Sequence, residues 1–153
     1  MEPAHTRAPT RALRTIAVLV IVAGAIFAVA GVITWFVVRD QLADENITVS
    51  DDADRFAGDP VDGPLTAYEE ANTIERHGLE ASDGLTYAEL EQDDPRRDTV
   101  MTASFLRASL FTSVVAFGVA LFAFGVGVVL ILVGVALLRI HRRLAVEVVA
   151  AVS

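Results

Sequence analysis

Few side chains in this chain have the types and spacing that chemistry needs. His77 stands among glutamates in TIERHGLE (residues 73–80), surroundings that suit an acid/base or metal site. Asp51, Asp52, Asp54, Asp59 and Asp62 crowd one loop, a composition that suggests calcium. An EF-hand loop requires D-x-D-x-D-G and a glutamate at its twelfth position. Counted from Asp52, the fifth position is Phe56, the glycine comes one place late, and no terminal glutamate is in register. The aspartates therefore read as a solvated acidic loop, with a divalent-cation module as the alternative. A non-haem iron centre takes two histidines and a carboxylate. The remaining histidines, His5 and His141, lie near the two ends of the chain. Cysteine is absent, which excludes disulfides, thiolate catalysis and cysteine metal sites. No G-x-S-x-G, P-loop or dinucleotide fingerprint occurs.

The elements that would position these groups follow from how polarity is distributed. The chain is 54% hydrophobic and 21% charged, and the two classes are segregated. Residues 16–38 and 108–138 carry no charge. Each run exceeds the ~20 apolar residues that cross a hydrocarbon core, so each is predicted as a transmembrane helix. The second would extend about 46 Å as a helix, against a core of ~30 Å. With Arg139 anchored at one face, about 118–138 lies in hydrocarbon, and residues 98–117 continue the helix beyond it, N-capped by Asp98 or Thr99. Small residues recur every seven positions: Ala17, Gly24 and Gly31 in the first span, Ser113, Ala120, Gly127 and Gly134 in the second. Gly118 and Gly125 form a neighbouring row. A seven-residue repeat keeps one seam facing a partner, and small side chains let membrane helices approach closely. The rows therefore predict contact between the two spans or between copies. Neither span has an interior ionisable residue, which argues against a pump or transporter.

Charge sets the expected orientation. Residues 39–107 hold eighteen of the twenty acids and six of the twelve arginines, a net −12, while each tail carries three arginines and one acid. Cytoplasmic flanks are the richer in basic residues. Both tails, 1–15 and 139–153, are thus expected in the cytoplasm and the acidic middle outside, with Arg39 and Arg107 snorkelling at the outer ends. Three arginines per tail suit anionic lipid headgroups and are too few for nucleic acid. Ala28-Val29-Ala30 resembles a signal cleavage site, but the apolar run continues through Trp35 to Val38 without the polar region that precedes cleavage. An uncleaved anchor is the expectation.

Within the middle segment, Ile47-Thr48-Val49 reads as a short extended piece, and Asn46-Ile47-Thr48 fits a glycosylation sequon. Residues 64–80 read as a helix, with Pro64 in its first turn and Gly78 at its end. Its apolar side would gather Ala67, Tyr68, Ala71, Ile74 and Leu79. Glu70, Thr73, His77 and Glu80 would then share the wet side, with Glu70, Thr73 and His77 forming a possible recognition surface. A second short helix is predicted over 86–92. Two short helices hold too little core alone. Tyr68, Ile74, Leu79, Tyr87 and Leu90 are the residues expected to rest on the extended second span.

The runs VVRDQLADENITV, FAGDPVDGPLTAYEEANTIERHGL and TYAELEQDDPRRDTVMTASFLRASLFTSVVAFGVA resemble a family of small actinobacterial membrane proteins. The resemblance covers about 38–120, and the flanking spans are arranged in the same way. Members often carry the label "aromatic ring-opening dioxygenase". The residues lack the iron ligands such an activity needs, so the label reduces to a non-catalytic helper subunit. Together these readings predict an all-α membrane protein: a transmembrane hairpin with a small helical extracytoplasmic head. It would be no enzyme, need no cofactor, and act as a structural or interaction protein of the envelope. The bilayer and a second copy or another membrane protein would be its partners.

Overall fold

The computed structural model describes residues 8–150, with side chains resolved for 12–143. Three helices account for most of these: α1 Ala8–Asp44, α2 Pro64–Glu80 and α3 Arg97–Ala150. The described residues contain no strand beyond one isolated antiparallel bridge, Thr48 with Pro60. Both α1 and α3 are long and apolar enough to cross a membrane. They are not core helices, because only 17% and 11% of their most apolar windows are buried. The chain divides into two compact units, one from the residues up to Ile33 with those from Ala120 on, the other Thr34–Val119.

In the first unit, α1 and α3 run antiparallel with their backbones in contact. A Cβ on Gly24 would stand 2.7 Å from the Gly127 carbonyl oxygen, and one on Gly31 would stand 2.5 Å from that of Ala120. A Cβ on Gly127 would strike the Ala28 nitrogen, and one on Gly134 would lie 2.9 Å from the Ala17 carbonyl oxygen. The small residues are what permits this approach. Of the two partners the heptad rows allow, they face the other helix of the same chain. Gly118 and Gly125 have open space where a Cβ would go. The outward surface is apolar throughout, with Leu19, Ile26, Phe122 and Leu132 each more than 60% exposed.

The second unit surrounds a core of Leu42, Val49, Val61, Ala67, Ala71, Leu110 and Phe117. Trp35 closes it edge-on against Phe117, with ring centroids 4.7 Å apart. α1 continues six residues past Val38 and so contributes Leu42. Asn46 then takes a left-handed φ of 53° and turns the chain. Ile47 and Val49 pair with the 59–61 stretch through Val49 N–H to Asp59 O and Val61 N–H to Ile47 O, both 2.9 Å. Both valines are fully buried, so the expected extended piece serves to deliver Val49 to the core. The Thr66 hydroxyl accepts from the Gly63 N–H, and α2 starts there with Pro64 in its first turn.

Three expectations need correction here. α2 does not end at Gly78 but at Glu80, and Gly84, at φ 85°, closes it by donating to the Leu79 carbonyl at 2.7 Å. Gly78 is buried within the helix because a Cβ there would lie 2.9 Å from the Cβ of Ala103 on α3. Residues 86–92 form turns, not a helix. The Glu89 carboxylate caps the Thr86 N–H and hydroxyl, and the Arg97 guanidinium takes the Tyr87 and Leu90 carbonyls that a next turn would have used. Finally, α3 begins at Arg97, so Asp98 lies in its first turn and is not its N-cap; Asp94 accepts the preceding N–H, that of Arg96.

Candidate functional site

His77 does meet a carboxylate, though none of those beside it in sequence. Its Nε2 lies 2.7 Å from Asp52 Oδ2, across twenty-five residues of chain. Arg76 reaches the same oxygen at 2.9 Å and the Asp52 carbonyl at 2.8 Å. The His77 ring, first, and the Arg76 guanidinium after it hold the Asp52 carboxyl below the usual carboxylate range. Asp52 is thus an acceptor at neutral pH, and Nε2 is the nitrogen that carries the proton in this contact. The imidazole lines a shallow groove of about 460 Å³ with Asp98, Thr99 and Thr102. The Thr102 hydroxyl is committed to the Asp98 carbonyl at 2.9 Å. An Asp–His pair of this kind orients an imidazole, while nucleophilic catalysis also requires a hydroxyl or thiol hydrogen-bonded to the ring.

The predicted recognition surface does not form as a unit. Glu70 and Thr73 are 5% and 2% exposed, and only His77 of the three is at the surface. Glu70 turns inward because the 47–61 loop packs over it. Its Oε2 accepts the Ser50 N–H at 2.7 Å and its Oε1 the Ser50 hydroxyl at 3.0 Å. A helical wheel places α2 residues relative to each other, and the loop then decides which side is covered. Tyr68, assigned to the apolar side, remains 46% exposed while stacking edge-on against Phe111 at 5.6 Å. Of the other residues expected to rest on α3, Leu90 is buried and Tyr87 lies under the Arg97 guanidinium at 4.0 Å.

The aspartates of the 51–62 loop do not converge. Asp52 is engaged as above, and Asp62 accepts Arg39 at 2.8 Å. Asp51, Asp54 and Asp59 are exposed, and no group of three or more His, Asp or Glu among the described residues is arranged to hold a metal. The iron triad also fails to assemble there, and His5 lies outside the described residues. Arg107, expected to snorkel, instead pairs with Glu75 at 3.0 Å and lies over the Phe111 ring. Arg96 bridges Asp83 and Asp94, and its guanidinium, first, pulls the Asp94 carboxyl down to about 2.

One cavity was not legible from the sequence. A cleft of about 690 Å³ has Leu42, Ile47, Ile74, Leu106 and Leu110 in its walls, with Asp44 and Glu45 beside them. Ser113, the fourth member of the second small-residue row, lines this cleft and bonds the Ser109 carbonyl, so it takes no part in the glycine contact. Conversely, the row continues to a residue that was passed over. His141 stands seven positions beyond Gly134, half-buried, with its Nδ1 enclosed and without a hydrogen-bond partner among the described residues. No protein-family model matches the chain, and no curated protein or solved structure matches it either.

Proposed function

We propose that this chain is a two-span membrane protein, with both tails cytoplasmic and an acidic helical head outside that contacts another envelope component. The observation that carries the reading is the continuous apolar surface of α1 and α3. Exposed aliphatic and aromatic side chains over that length are stable facing lipid and unstable facing water. The arginine-rich tails and the net −12 of residues 39–107 support the orientation. The cleft beside Asp44 and Glu45 supports the contact role, since apolar walls with acidic side chains suit a partner segment that pairs aliphatic with basic side chains.

Cysteine labelling tests the topology in a chain that has no cysteine of its own. Ser82 is fully buried and unsuited to this; Asp93 is exposed. Asp93→Cys is expected to react with an impermeant maleimide on intact cells, and Ser153→Cys only after lysis. The reverse pattern would overturn the orientation, and release of the chain by alkaline wash would overturn insertion. A photo-crosslinking residue in place of Glu45 should trap a discrete adduct in native membranes that the same residue at Leu65, outside the cleft, does not. Identical adducts from both would remove the cleft from the contact.

A further inference from the structure

We infer that the start of α2 is a membrane anchor: Leu65 and Tyr68 sit in the lipid interface and hold the head down on the bilayer. The inference rests on the membrane reading above and gives the head a lipid contact of its own. α2 exposes four residues, and they are sorted along its axis. Leu65, 65% exposed, and Tyr68, 46% exposed, lie at its start, while His77 and Glu80 lie at its end. A helix wholly in water meets the same solvent at both ends, which gives no reason for that sorting. A helix that rises out of a lipid interface into water meets an apolar medium first and a polar one last.

Contacts with both long helices fix the depth of this end. Tyr68 meets the Phe111 ring, Glu75 pairs with Arg107 and Gly78 packs on Ala103, so α2 runs antiparallel to α3 and its start lies nearest the charge-free run 108–138. Continued by one turn, that register sets Leu65 level with roughly residues 113–115 of α3, about 4–8 Å from residue 118 at 1.5 Å per residue. The headgroup layer on each side of the hydrocarbon is itself ~5–7 Å deep. An independent contact agrees. Asp62, two residues before Pro64, pairs at 2.8 Å with Arg39, the first residue beyond the charge-free run of α1. The apolar surface is also continuous. Leu65 and Tyr68 are three apart on α2, Tyr68 touches Phe111, and Phe111 shares a side of α3 with Val115, which is 64% exposed. Tyrosine, with an apolar ring and a hydroxyl, is enriched at this depth.

The test uses spin labels on single cysteines, in the full chain reconstituted alone into phosphatidylcholine–phosphatidylglycerol vesicles. Leu65→Cys, Glu80→Cys and Val129→Cys all replace exposed residues, so the labels displace no core side chain. Collision with oxygen, which concentrates in lipid, is compared with collision with a water-soluble nickel chelate. The oxygen-to-nickel ratio at Leu65→Cys is expected to exceed that at Glu80→Cys severalfold, although the two positions share one helix and lie only about 22 Å apart along it. A ratio at Leu65→Cys equal to that at Glu80→Cys would overturn the anchor. Low collision with both reagents at Leu65→Cys would also overturn it, by showing a second copy of the chain over this end of α2. Val129→Cys, in the middle of the second apolar run, separates the two ideas. A lipid reading there with a water reading at Leu65→Cys sinks only this inference, and a water reading at both sinks the membrane reading with it.

Discussion

The arginines of the two units are used in opposite ways. All six between residues 39 and 107 are spent internally: Arg39 on Asp62, Arg76 on Asp52, Arg96 on Asp83 and Asp94, Arg107 on Glu75, Arg97 on the Tyr87 and Leu90 carbonyls, and Arg55 over the Phe56 ring. Arg14, Arg139, Arg142 and Arg143 have no acidic partner among the described residues. The packing differs as well. The hairpin is held by backbone against backbone through Gly24, Gly31, Gly127 and Gly134, with large apolar side chains turned outward. The other unit turns its apolar side chains inward around Val49, Val61 and Phe117 and ties its loops with carboxylates. Each arrangement suits the medium proposed for it. Where the solvent is apolar, burial of aliphatic groups gives no drive and close contact must supply it. Where the solvent is water, a small core and polar ties share the work.

This contrast can be broken most severely at the seam. Gly127→Leu should destabilise the hairpin by about 3 kcal/mol, the upper range for overpacking, because the added carbon meets backbone that cannot swing away. Gly125→Leu, two residues earlier and facing open space, should change stability by less than about 0.5 kcal/mol. Thermal unfolding of the full chain in micelles reads both, and equal losses would show that the seam does not carry the contact. Glu70→Ala should come next, at about 2 kcal/mol, by leaving the Ser50 N–H without its acceptor. Glu70→Gln keeps one acceptor oxygen and should recover part of that loss. Gly78→Ala should cost about 1 kcal/mol and be relieved in the Ala103→Gly background, a coupling that a double-mutant cycle measures directly.

Smaller effects sharpen the role of the polar ties. Asp94 has its carboxyl lowered to about 2 from an ordinary 3.8, so its contribution is complete above the ordinary value and disappears as pH falls through about 2. Asp52 is lowered as well and acts with the same sign. Acid melts between pH 4 and about 2 should therefore show stability falling, and Asp94→Asn should flatten that fall. A melt in Asp94→Asn that keeps the full acid slope would remove Asp94 from the account. Arg39→Ala should have the smallest effect on the same thermal melts, because the Arg39–Asp62 pair is half exposed and screened by salt.

Much of the fold was legible where a property is strictly periodic or strictly one-dimensional. The charge-free runs give the two long helices, and α3 does continue through residues 98–117 as one helix. The seven-residue rows gave the hairpin contact residues, apart from Ser113. The extent of α1, the turns at 86–92 and the fate of Gly78 were not legible, because each depends on a partner distant in sequence. Glu70 shows this most clearly. Helical phase put it on the same side as His77, yet Ser50 lies over it and buries it. His141 was open to reading as the next member of the Gly134 row, and only its chemical unlikeness to glycine concealed it.

What the sequence alone determined is therefore where apolar and charged residues lie: two stretches long and apolar enough to cross a membrane, and an acidic segment between them. Local hydropathy and charge are sums over consecutive residues, and no tertiary contact alters them. What only the tertiary structure decided is which polar groups are free. Asp52 and Asp62 are occupied by cations and Glu70 by Ser50, while Nδ1 of His141 meets no partner among the described residues. Pairing across twenty or more residues depends on how helices and loops are brought together in space, and that information lies in the packing and not in any one stretch of chain.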